Sequence, residues 1–316
     1  MLKELGFYRG INLGGWLSQC DYSKERMDRF IQEKDIETIA SWGLDHVRIP
    51  VDYNVLENED GTYREDGFGR IEWALGLCRS NGLRAVIDLH KTAGFSFDVG
   101  EKEAGFFESE KYQERFYRLW EQLARHFGRY GGEVALELLN EVTEKRFIDT
   151  WNRIVAQCVR RIRVYAPNCP ILVGSYYNNA AEAVPDLDAP ADDLVVYNFH
   201  CYDPLPFTHQ GAPWVHHMDV SRPLTFEEAN LPDGYFTQRF APALEKAREE
   251  GAELYCGEYG VIDRARLEDA VKWFRQIHDT FEAYGISRAA WSYKQMDFGI
   301  SDARMDGVRK ELIHLL

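Results

Sequence analysis

Short apolar runs alternate along the chain with longer segments in which apolar residues recur at every third or fourth position. The runs fall at Tyr8–Leu13, Leu44–Ile49, Leu83–Leu89, Ala135–Val142, Ile171–Ser175, Leu194–Phe199, Ala252–Cys256 and Ile286–Ala290. Runs of this length bounded by Gly, Pro or polar residues predict buried strands. Between them, Met27, Phe30, Ile31, Ile39 and Trp42 predict a helix over 25–42, and Tyr112, Phe116, Trp120, Leu123 and Phe127 predict another. Helical spacing also marks 67–80, 147–162, 179–187, 236–250, 267–284 and 304–316, with Gly43, Gly251 and Gly285 placed to end helices. The second run is expected to end at Arg48, stopped by Pro50.

Strand then helix, repeated eight times, predicts a parallel sheet. Eight such units in 316 residues favour a single (β/α)8 TIM barrel spanning 1–316 over an open doubly wound sheet. No GxGxxG follows the first strand; Gly10-Ile11-Asn12-Leu13-Gly14-Gly15 opens on no long helix. One moderate insertion, 203–235, follows strand 6 and holds Pro204, Pro206, Trp214, Pro223 and Pro232. A long loop in a compact domain is usually functional.

Composition narrows the partners. A net charge of -15 repels phosphate backbones and anionic lipid, which argues against nucleic acid and membranes. Aromatics make up 14% of the chain, a supply of flat faces suited to sugars although most belong in a core. Cys20, Cys78, Cys158, Cys169, Cys201 and Cys256 form no CxxC pair and read as reduced thiols. Met1–Gly6 has no apolar h-region and no stretch is long enough to span a bilayer. The expectation is a cytoplasmic monomer, or a secreted protein if a leader has been removed.

Polar residues collect where the apolar runs end: Arg48, His90, Asn140 with Glu141, His200 with Tyr202, Glu258 and Trp291. In a barrel these ends share the face that carries the active site. Glu141 follows a buried run, where packing gives no reason for a carboxylate. Glu141 and Glu258 on non-adjacent strands supply what glycosidic cleavage requires, one acid for the leaving oxygen and one carboxylate to attack or to activate water. Arg48 with Tyr202 or Tyr259 would hold Glu258 ionised, Asn140 would bond a sugar hydroxyl, His200 would tune a carboxylate, and His90 would bind a hydroxyl. Singly, each has a plainer explanation: a helix N-terminal carboxylate, a buried ion-pair partner, a satisfied core histidine or a core tryptophan. Their shared face favours the functional explanation. His216-His217 reads as solvated loop, since adjacent side chains diverge, and no metal or organic cofactor is called for. Trp16, Tyr53, Phe95, Phe97, Phe207, Trp214 and Tyr293 are candidate sugar platforms, with Trp16 and Trp214 favoured.

With these residues in view, the chain resembles glycoside hydrolase family 5, the cellulase family of the large retaining (β/α)8 clan. Leu138-Leu139-Asn140-Glu141 and Gly257-Glu258-Tyr259-Gly260 match its two glutamate motifs, and Arg48, His90, His200-Cys201-Tyr202 and Trp291 match the remaining site positions. Gly10–Trp16, Phe207–Gln210 and Tyr255–Glu258 bring it nearest a compact clostridial endoglucanase branch. The resemblance implies Glu141 as acid/base, Glu258 as nucleophile, a sugar-binding shell of Arg48, His90, Asn140, His200, Tyr202 and Trp291, and a β-glucan substrate cut by double displacement. Gly10–Trp16 also resembles the exo-β-1,3-glucanase branch. The rival expectations are that enzyme or a β-glucosidase, a β-mannanase on short oligosaccharides, a metal-dependent barrel hydrolase, and a non-catalytic carbohydrate-binding barrel.

Overall fold

The computed structural model describes residues 1–98, 100–215 and 222–316. Eight parallel strands close into a barrel: β1 (Arg9–Asn12), β2 (His46–Asp52), β3 (Arg84–Lys91), β4 (Val134–Glu137), β5 (Ile171–Val173), β6 (Val195–Cys201), β7 (Leu254–Tyr259) and β8 (Ser287–Ala290). Closure is made by β1 on β8, with Gly10 opposite Ala289 and Ile11 opposite Ala290. Among the described residues no helix is long and apolar enough to cross a membrane.

Three local expectations are corrected. The helix expected over 25–42 is two, Lys24–Arg29 and Glu33–Ser41, because the Gln32 amide leaves the helix to donate to Asp35 Oδ2 at 2.8 Å. β2 does not stop at Pro50 but continues to Asp52. The Arg48 carbonyl faces β1, where it accepts from Leu13, and Pro50 faces the same way beyond the last β1 pair, so its missing N–H costs no ladder bond. The helix expected over 179–187 is a tight turn at Tyr176–Asn179 followed by a 3₁₀ segment, Ala181–Asp186. The segment after β6 carries two one-turn helices, Leu205–Thr208 and Phe226–Ala229, while His216 and His217 lie outside the described residues.

The outer core lies between strands and helices, and its tryptophans tie the helices to the mouth of the barrel. Trp120 Nε1 donates to the Leu138 carbonyl (3.0 Å), Trp151 Nε1 to Gly174 (2.8 Å) and Trp273 Nε1 to Asp203 (2.9 Å). Each buried indole thus satisfies its polar atom on backbone beyond the end of a strand, where loops leave the barrel. Inside the barrel the lowest layer is apolar: Val86, Ala135, Leu172, Val196, Tyr255 and Ala289, plugged from below by Leu2 and Phe7. Strand alternation brings the next inward residues two positions later, and these are polar: Asn12, Arg48, Asp88, Glu137 and Asn198, all buried.

Gly10 sits opposite His46 in the lower barrel, where an added Cβ would lie 2.4 Å from His46 Nε2. The ring cannot step aside, because Asp45 and Tyr255 hold its two nitrogens at 2.6 and 2.8 Å. Gly10→Ala is expected to cost roughly 1–3 kcal/mol of stability, as overpacked cores do, read by urea denaturation.

Candidate active site

Arg48 is completely buried at the centre of the polar layer and uses every N–H of its guanidinium. Nε and Nη2 clamp Glu137 at 2.7 Å each. Nη1 bonds Asn12 Oδ1 (2.9 Å) and Glu258 Oε1 (2.7 Å), and Nη2 also reaches Asn140 Oδ1 (2.9 Å) and Asp88 Oδ2 (3.0 Å). Asn198 supports Glu137 with a 2.8 Å bond. Burial works against the Arg48 charge, yet the carboxylates of Asp88 and Glu137 hold it protonated well above its ordinary range. Burial in turn raises Glu137 and pushes Asp88 up to about 7, with Arg48 opposing both. Arg48 was expected in the sugar-binding shell; it lies instead at the centre of the buried layer that floors the site, because β2 runs on past it.

Above this layer Glu141, His200 and Glu258 converge, with one oxygen or nitrogen of each lying within 4.8 Å of the others. Arg48 grips one oxygen of Glu258 and the Tyr202 hydroxyl donates to the other at 2.9 Å. Tyr259, the alternative partner, turns outward onto Phe274 and Phe281. Glu141 takes up a left-handed backbone conformation, φ 47°, rare for a non-glycine residue. Its Oε1 faces His200 Nδ1 at 2.8 Å and its Oε2 accepts from Asn178 Nδ2 at 3.0 Å. Burial raises the Glu141 carboxyl above its ordinary value, and the Asn178 bond works against that rise. Burial also lowers His90, and lowers His200 to about 4, so both imidazoles are neutral near pH 7. The Tyr202 hydroxyl is driven upward by burial and by Glu258, which keeps it a donor.

The site opens into a cleft of about 800 Å³. His90, Glu141, His200, Tyr202, Glu258 and Trp291 all line it, as the strand-end reading expects. His90 Nδ1 is held by Asp88 Oδ2 at 2.5 Å, and the ring lies parallel to Trp291, 4° between planes. Asn140 is fully buried beside the cleft, with its Nδ2 lacking a partner among the described residues. Trp214 is 50% exposed and lines the cleft with Phe97. Trp16 does not: it is 1% exposed and donates from Nε1 to the Met27 carbonyl at 2.9 Å. The turn at Gly14-Gly15 drives it under the helix Lys24–Arg29, so it is core rather than platform. Phe95, Phe207 and Tyr293 are buried as well, and the Tyr53 hydroxyl is engaged by Glu103.

Sequence reasoning passed over Asp88, Glu137, Asn12 and Asn198, which form the floor, and Asn178 and Asn179, which border Glu141 and His200. A signal existed for Asp88 and Glu137, each a charged residue inside an otherwise apolar run and in step with an inward-facing neighbour. A cation at Glu141, His200 and Glu258 would have to displace partners already in place: Arg48 and Tyr202 on Glu258, Asn178 on Glu141, and the Arg48 charge itself. The donor set therefore fits hydrogen bonding to carboxylates better than a resident metal.

The chain is similar to known proteins over nearly its whole length. The family model described as cellulase (glycosyl hydrolase family 5) matches residues 9–297. Cellodextrinase A of Ruminococcus flavefaciens is 55% identical over 288 residues, covering 91% of this chain and 86% of the relative. Endoglucanase C of Acetivibrio thermocellus is 37% identical over 339 positions, covering 99% of this chain and 98% of the relative. Among solved structures, the clostridial cellulose synthase subunit Z from Clostridioides difficile superposes with a TM-score of 0.84 at 26% identity, covering 98% of this chain and 99% of that one.

Removing the cation leaves three carboxyl groups facing one another in a dry interior. Arg48→Met is expected to destabilise the fold by about 3–5 kcal/mol, the usual result of breaking a buried pair from one side, measured by thermal and chemical denaturation.

Proposed function

Since the chain belongs to glycosyl hydrolase family 5, a retaining family of O-glycoside hydrolases, we propose that Glu258 is the nucleophile and Glu141 the acid/base in hydrolysis of a β-glucan chain. The supporting observation is the approach of the two carboxyl groups to within 4.8 Å, oxygen to oxygen. Retaining enzymes hold the pair about 5–5.5 Å apart, whereas inverting ones need roughly 6.5–9.5 Å to admit a water.

The environments divide the roles. Glu258 is gripped on both oxygens and aimed by Arg48 and Tyr202, as a nucleophile needs. Burial raises Glu141, which favours the protonated form that a general acid uses. In the first step Glu258 attacks the anomeric carbon while the Glu141 proton passes to the leaving oxygen, giving a glycosyl ester and a free sugar chain. In the second, Glu141 takes a proton from water, which attacks the same carbon and releases Glu258. Trp291 and His90 form the wall against the sugar whose bond breaks, and Asn140 Nδ2, buried beside the cleft without a partner among the described residues, is the candidate donor to its hydroxyl.

Soluble gluco-oligosaccharides in β-1,4 linkage suit the site best, on the strength of the cellodextrinase and endoglucanase relatives and of a cleft sized for a few sugar rings. Six free thiols, five of them buried, fit a reducing compartment such as the cytoplasm, where short chains are the accessible substrate. The net charge of -15 disfavours nucleic acid and anionic lipid.

Glu258→Gly is expected to abolish hydrolysis of cello-oligomers, with azide or formate restoring turnover of an activated aryl cellobioside; undiminished activity would refute the nucleophile assignment. Glu141→Ala should lose about 10²–10⁴-fold on cello-oligomers and far less on a dinitrophenyl cellobioside, whose leaving group needs no proton. In the intact enzyme kcat/KM on cello-oligomers should fall as pH rises through the Glu141 value. Because burial raises that value, the fall lies above the ordinary carboxyl range near about 4.3. Trp214→Ala should raise KM for cellotetraose several-fold with kcat little changed, whereas Trp16→Ala should lower the melting temperature.

A further inference from the structure

β5 is the shortest strand of the barrel, and it brings no polar side chain to the site. Its inward slot above Leu172 is Gly174, and the chain then turns through Tyr177, Asn178 and Asn179 with φ of 53°, 57° and 56°. Three successive non-glycine residues in the left-handed region are costly, since L-residues visit it singly. The turn is tied to another left-handed residue of the site: the Asn178 backbone N–H donates to the Val142 carbonyl at 3.0 Å, directly after Glu141. Asn179 folds back, fully buried, over Gly174, where an added Cβ would stand 2.2 Å from its Oδ1. From there its Nδ2 reaches His200 Nε2 at 3.3 Å.

We propose that Asn178 and Asn179 are positioning residues for proton transfer by Glu141, the strained turn existing to hold both of that carboxyl group's oxygens from one side. Asn178 donates directly to Oε2. Asn179, by donating to Nε2, places the His200 proton on Nδ1, which faces Oε1. With a donor on each oxygen, the acid's own proton is left the directions open to the cleft, where the leaving oxygen arrives.

The same arrangement balances the group between acid and base. Burial favours the protonated form, and the Asn178 donor favours the carboxylate needed in the second step. Among the described residues, the charged and titratable groups that act on Glu141 or share its cluster are His90, Arg48, Asp88, Asp98, His200, Tyr202 and Glu258, and Tyr177 and Glu182 line the same cleft from the segment after β5. Of these, His90 and Arg48 lower Glu141 and Asp98 raises it, and these three stand on β2, β3 and the segment after β3 rather than on the β5 turn. Asn178 is thus the donor through which the β5 turn acts on the carboxyl.

The inference rests on Glu141 being the acid/base, and the test separates the two. Asn178→Gly removes the donor while leaving the left-handed backbone at ease, and Asn178→Asp keeps the shape but exchanges the donor for a charge. Both, with Glu141→Ala, are assayed over pH on cellotetraose and on dinitrophenyl cellobioside, with melting temperatures alongside. Each Asn178 variant is expected to move the alkaline limb of kcat/KM for cellotetraose upward, by about one pH unit for Gly and more for Asp. Because the raised value leaves Glu141 more protonated at neutral pH, a lost proton is not at issue there, and lost aim of that proton should lower the ratio of cellotetraose to aryl-glycoside kcat/KM about tenfold. A limb that stays in place, or equal losses on both substrates, overturns the inference. If Glu141→Ala itself fails to discriminate between the substrates, the acid/base reading falls instead.

Discussion

The barrel is organised around one guanidinium that has no contact with water. Arg48 sits where a (β/α)8 interior would ordinarily be filled by branched aliphatic side chains, and its presence permits Asp88, Glu137 and Glu258 to be there too. A buried ion pair is weak evidence of stability, because desolvation offsets its attraction. Its value here is positional. The fork of Arg48 fixes Glu137 on two oxygens and spends its remaining hydrogens on Glu258, Asn140, Asn12 and Asp88. Fold and chemistry thus share a residue: the group that aims Glu258 also holds the middle of the barrel together.

From that floor upward, the site gains its properties by separating two like groups. Glu258 is tied to the charged layer beneath and to Tyr202, while Glu141 stands on the opposite wall among neutral partners. Both imidazoles are kept neutral by burial, so neither adds a positive charge beside Glu141. The tryptophans on the outer helices bond to carbonyls where the loops leave the barrel, so the loops that carry these groups are anchored from behind.

Much of this was legible in the order of residues. The eight apolar runs and the helical spacings between them specify the barrel, and a polar residue after an apolar strand marks the face where the cleft opens, as with Glu141, His200 and Glu258. The misreadings share a cause. Trp16, beside a glycine turn, looked like a rim residue and is core. Arg48, before a proline, looked like a strand end and is mid-strand. Glu137, inside an apolar run, went unremarked and is held by two 2.7 Å bonds from the Arg48 guanidinium.

Sequence alone determined the topology, the two carboxylates and the face they share, because strand periodicity and strand ends are local properties. Tertiary structure decided depth and partnership: which inward residue lies one layer lower, which oxygen meets which donor, and that Asn178 and Asn179 reach Glu141 and His200 from a strand that shows no polar end. Those depend on barrel stagger and on a left-handed turn, which bring together residues far apart in the chain, and no local pattern records such distances.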